Sequence, residues 1–224
     1  MLFHASHHHT NQLENTTMTL TKNTEILRAE VAAHIKADAL VRGSYWNPIK
    51  NAVGGQGCFI SCLTHTEDPA PAFERFGLPV EVLRIAENIF EALPDDEGIA
   101  FFAALPDAVG RDGKDLSRVH WGFLAAELRA LPQTTDAAQA VIDPVIDGMD
   151  LLFSGQQWTA ARAAAYAADA AYPAADAYGA YAAAYAARAA AFDAAYAARA
   201  AYAAYAAYGR NRQRDTLLAL IAAS

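Results

Sequence analysis

Between residues 158 and 208 the chain is 31 parts alanine in 51, and nine of its ten tyrosines lie in the same stretch. Alanine is the best helix former because it loses no side-chain entropy on folding, so the composition predicts helix almost throughout. Pro173 and Gly179 predict a break, with one helix before about residue 172 and a longer one ending at Gly209. In the second helix Tyr178, Tyr181, Tyr185, Phe192 and Tyr196 recur at threes, fours and sevens and form one stripe. Faces of alanine let two helices approach more closely than the usual separation of about 8–10 Å. The expectation is a tight antiparallel hairpin with aromatic rings filling its grooves. A membrane span is excluded, since Asp and Arg recur every few turns where each would be costly.

The other residues form a different kind of sequence, rich in ordinary amphipathic patterns. The spacing predicts helices over 24–41, 58–66, 79–93, 98–105, 116–131 and 136–153, with Pro144 kinking or splitting the last, and no strand. Asp95 or Asp96 and Asp115 are the expected caps of two of them. A short amphipathic helix is expected to close the chain after Gly209. Residues 1–22 read as a floppy polar tail in which His4, His7, His8 and His9 offer weak metal binding at most; Met18 is an alternative start. No basic leader followed by an apolar run is seen, and two cysteines make no disulfide framework, so the cytoplasm is the expected compartment.

The net charge of −8 argues against a nucleic-acid binder. Its distribution is uneven. From 158 to 214, six arginines face three aspartates, leaving this module at +3 and the remainder at −11. Arg188 and Arg199, with Tyr181, Tyr185 and Tyr196, could hold an anionic ligand, because guanidinium groups grip phosphate and tyrosine faces stack on bases.

The densest chemistry lies in GQGCFISCLTH, residues 55 to 65. On a helix, Cys58, Cys62 and His65 fall within about 60° of one face, where metal ligands would sit. The seven-residue span rises about 10.5 Å, however, so one ion would reach all three only with strain. A fourth ligand, with His120 the best candidate, would also be needed, and no second cysteine pair exists. Catalysis is a further reading: Cys58 follows glycines, Gly57 nearest, whose backbone N–H groups would cradle an oxyanion or phosphate. The plain alternative ranks first, with both cysteines buried as small hydrophobes and His65 capping the helix C-terminus, where its charge is favoured. Elsewhere, Arg111 in the turn VGRDGKD adds a cation near a helix start, and Glu87 beside Arg84 reads as a surface ion pair. No cofactor motif is present.

GCFISCLTH, then ERFGLP and RIAENIFEAL, resembles a group of uncharacterised proteins of phages and bacterial mobile elements that share the Gly-Cys-x-x-x-Cys-x-x-His segment and an alanine-rich C-terminal half. The resemblance spans roughly residues 24–208 and implies only a setting, that of small accessory proteins, some of which bind host factors or signalling molecules. The combined expectation is an all-α bundle of about eight or nine helices. It comprises a tail (1–22), a helical body (23–153) and an alanine-rich module (154–224) packed on the body or on a second copy. Its expected role is non-enzymatic binding of a host protein or a small anionic, nucleotide-like ligand; homodimerisation is reasonable for such alanine faces. The alternative is a small thiol- or metal-dependent hydrolase built on Cys58, Cys62, His65 and His120.

Overall fold

A computed structural model describes residues 19–131, 136–158 and 203–224. Among these residues the protein is an all-α bundle of eight helices with no strand. They are α1 (Thr24–Lys36), α2 (Phe59–Thr64), α3 (Ala70–Phe76), α4 (Val80–Ala92), α5 (Asp95–Val109), α6 (Val119–Arg129), α7 (Asp136–Phe153) and α8 (Ala203–Ala223). The tail before residue 19 and the expected break and hairpin between 159 and 202 lie outside the described residues.

The smallest helix sits at the centre. Five of the six residues of α2 are buried, as an element apolar on every side must be. Phe59 is fully buried, with Phe90 of α4 and Phe101 and Phe102 of α5 around it at ring separations of 5.1 to 6.0 Å. The apolar stripe at helical spacing on α4 is buried: Val82, Ile85, Ala86, Ile89, Phe90 and, at the C-cap, Leu93. So is that of Leu116, Val119, Phe123, Leu124 and Leu128. A second, smaller core joins α6 to α7 through Leu124, Leu128, Ile146 and Met149.

Three elements depart most from the expected bounds, while α7 keeps its own and α3 lies where no helix was expected. Helix α1 stops at Lys36, not near Gly43, because Asp38 turns left-handed (φ 51°) and the next residues pair with the glycine loop. There Gly57 donates to the Ala39 carbonyl (2.9 Å) and Val41 to that of Gly57 (2.8 Å), so tertiary pairing replaces the helix ladder. Helix α5 is longer than the expected 98–105, starting directly after Pro94 with Asp95, Asp96 and Glu97 in its positive first turn. Pro106 lies in its last turn and withholds one bond of the ladder, that to the Phe102 carbonyl. Pro144 does not split α7. Gly209 does not end a helix: α8 runs through it to Ala223. A helical glycine costs about 1 kcal/mol relative to alanine, which the burial of Leu217 and Ile221 beyond it readily offsets.

The chain enters through a bracket that positions α1. Asp112, in the turn before α6, accepts hydrogen bonds from the Thr24 N–H (2.9 Å) and hydroxyl (2.7 Å) at the start of α1. Thr21 donates to the Arg111 carbonyl and receives the Lys114 N–H. Gly77 ends α3 with φ 69°, and a Cβ there would collide with the Leu20 carbonyl; glycine is required on both counts.

Candidate functional site

The two ends of α2 carry the side chains with chemistry. At its start, the Cys58 thiol donates to Glu87 Oε1 of α4 (3.1 Å) and lies 3.3 Å from the Ser61 hydroxyl. Glu87 also takes Arg84 (3.0 Å), so the expected ion pair forms and has a third member. One turn on, the Cys62 thiol donates to the carbonyls of Gly57 (3.3 Å) and Ala39 (3.4 Å). Both thiols are shielded from solvent. Burial pushes Cys58 above the ordinary thiol range, Ser61 opposing and Glu87 adding to the rise. It pushes Cys62 up to about 12, with nearby Cys58 adding to the rise. A nucleophilic cysteine needs the opposite shift, so the electrostatics run against a thiolate at neutral pH.

The glycine loop is equally committed. Gly55 donates to Asn51 Oδ1, Gln56 to the Asn47 carbonyl, Gly57 to Ala39 and Cys58 to Ser44, all at 2.8 to 3.0 Å. The loop's N–H groups that the sequence suggests as an oxyanion or phosphate cradle therefore already have acceptors. Its glycines serve packing instead: a Cβ at Gly55 would overlap the Trp46 indole.

At the far end of α2, His65 is the left-handed C-cap (φ 59°), as the capping reading expects. Its charge is nevertheless disfavoured there. Burial lowers its pKa, His34 and Arg75 add to the lowering, and Glu30 opposes them. The His65 ring stacks flat on Trp46 (4.2 Å, 9°) and its Nε2 lies 3.2 Å from Nε2 of His34. His34 is buried in α1 and its Nδ1 donates to the Glu30 carbonyl (2.8 Å). Thus His65 meets a histidine and a tryptophan that sequence reasoning did not select. The only sequence signal for them was a histidine on the apolar side of α1 and a tryptophan beside the glycine loop.

The remaining selected residues do not converge on this point. His120 lies on α6 against Trp121 (4.4 Å), whereas α2 packs on α1, α3 and α4. Arg111 is exposed in the turn that brackets α1. Tyr181, Tyr185, Arg188, Tyr196 and Arg199 lie outside the described residues. Among the described residues no three His, Cys, Asp or Glu side chains gather where a metal ion could sit. An open cavity of about 490 Å³ between α6 and α7 carries Asp143 and Asp147 on its wall, and its one cation among the described residues, Arg129, is paired with Asp150, which disfavours an anion.

The charge of the C-terminal module also changes meaning. Arg212 grips the buried Glu127 carboxylate with both nitrogens (2.6 and 2.8 Å), and Gln213 adds a third bond (2.7 Å). Arg214 meets Asp215 (2.8 Å) and Glu97 (3.6 Å). Residues 159–202 by themselves hold three arginines and three aspartates, a net charge of zero. No helix among the described residues is long and apolar enough to cross a membrane. No family model, curated protein or solved structure matches the chain, so the reading of these sites rests on their own chemistry.

Proposed function

We propose that the protein is a non-enzymatic binding protein, of the kind expected of a phage or mobile-element accessory factor. In this reading the alanine/tyrosine segment grips a host protein and the helical body is its mount. The observation that carries the reading is the anchoring of both ends of that segment. Before it, Trp158 sits on Gly148 of α7, where a Cβ would overlap the indole. After it, α8 is fastened by the Glu127 clamp, by fully buried Leu217 and Ile221, and by Lys114, which donates to the last carbonyls of the helix (Ile221 3.0 Å, Ala222 2.9 Å). A segment rich in tyrosine, neutral in sum and held at both ends suits recognition by aromatic contact more than by charge. The small-anion form loses support, because the loop donors and two of the six module arginines are already engaged.

The test is native mass spectrometry of the full chain purified gently from its host, set beside a variant with Tyr181, Tyr185 and Tyr196 all changed to alanine. A protein-sized bound mass that disappears in the variant, at unchanged melting temperature, is expected. A bound mass of several hundred daltons, or a bare chain, would overturn the host-protein form. A variant that melts much earlier would make the tyrosines scaffold.

A further inference from the structure

His34 and His65 come from different elements, α1 and the cap of α2, yet their Nε2 atoms stand 3.2 Å apart. With His34 Nδ1 donating to the Glu30 carbonyl, His34 in its neutral form has a bare Nε2 that accepts. His65 then supplies the bridging proton from its own Nε2. Adding one proton to the pair, on His65 Nδ1, leaves this bond intact and makes it charge-assisted. Adding a second places N–H against N–H and cation against cation at that distance. The charged groups facing the pair are Glu30 of α1 and Arg75 of α3, which are ion-paired with each other; Trp46, from the loop, is neutral. No spare carboxylate in this set is left to neutralise the second charge.

We propose that the His34–His65 pair is a one-proton latch that holds the Trp46 loop closed and releases it when acid loads a second proton. His34 is buried and tied to its own helix, so His65, exposed at a left-handed cap, is the partner that moves. Its movement unstacks Trp46, and with Trp46 the packing against Gly55 that organises the loop. That loop also presents Tyr45 (72% exposed) and Ile49 (39%), so opening reshapes an apolar surface. Burial first, and then the neighbouring His34, lower the His65 pKa, which agrees with a closed state that resists the doubly charged pair. Two groups this closely coupled lose their protons in two steps that belong to the pair.

The experiment is an NMR titration of the full chain from about pH 8 to about pH 4.5, across the histidine range. It follows the ring signals of His34 and His65 and the Trp46 indole N–H, with His34→Gln, His65→Asn and Trp46→Phe providing assignments. Asparagine tolerates the left-handed cap, which keeps the second variant folded. The expected result is that both histidine signals follow two steps and that the indole signal shifts in the more acidic one. In His65→Asn, His34 should titrate in one step and the indole shift should vanish. Independent single-step curves for His34 and His65 in the unaltered chain would overturn the proposal, and that outcome can be read even if a variant fails to fold. So would an indole shift that survives in His65→Asn.

Discussion

Arg212→Met should loosen α8 more than any exposed ion pair of the molecule could. Glu127 is 8% exposed, and the substitution removes two of the three hydrogen bonds that compensate its buried charge. Breaking a buried pair from one side costs about 3–5 kcal/mol, because the surviving charge is left in a poor medium. The lower end applies: Gln213 keeps its bond, and the Arg212 side chain, 29% exposed, leaves room for water. A loss of about 3 kcal/mol, at a urea slope of about 2–3 kcal/mol/M, moves the unfolding midpoint down by about 1–1.5 M. The discriminating arm is the double variant Glu127→Leu with Arg212→Met, which removes the stranded charge and should recover most of the loss. A single variant with an unchanged midpoint, or a double variant no better than the single, would refute the claim that an electrostatic clamp fastens this helix.

Cys62, with its thiol pushed up to about 12, should resist alkylation in the native protein at neutral pH and react once urea unfolds the chain; rapid native labelling would sink the buried-thiol reading. Gly77→Ala should cost about 2 kcal/mol or more, since a left-handed residue gains a Cβ facing the Leu20 carbonyl, and a thermal melt matching the parent would contradict this. Hydrogen bonds from Thr24 hold the Asp112 carboxyl below the usual carboxylate range, so its stabilisation is complete above the ordinary value of 3.8 and fades as pH falls through the lower native one. Asp112→Asn should therefore melt below the parent at neutral pH and converge with it in strong acid; a gap independent of pH would assign the effect to something other than that charge.

The elements readable in advance were those whose pattern is local. The stripes of α4 and α6 repeat at helical spacing and are buried as that spacing requires. Two of the misplaced ends, those of α1 and α8, share a cause, which is a distant partner. Helix α1 stops where Ala39 and Val41 meet Gly57, a residue of the loop leading into α2 whose influence no short window around Lys36 contains. Helix α8 passes through Gly209 because Leu217 and Ile221 are buried in a core made mostly by residues far earlier in the chain. Propensity is a matter of a kcal/mol or so per residue, and packing of this extent overrides it.

The same distinction governs the site. That Cys58, Cys62 and His65 share a short segment was plain from spacing, and so was their burial or capping role. What each side chain touches was not, because Glu87 lies 29 residues from Cys58 and His34 lies 31 from His65. The charge count shows how such distant pairing can weaken the ground for an inference. Six arginines against three aspartates looks like a surface awaiting an anion, yet Arg212 finds its counter-ion 85 residues away in Glu127. Net charge in a segment measures what is available to a partner only after the internal pairs have been subtracted. Once Arg212 and Arg214 are removed from the sum, the module falls from +3 to +1 and its nine tyrosines outnumber the four remaining arginines, and that is why aromatic contact, not phosphate capture, is the reading carried forward.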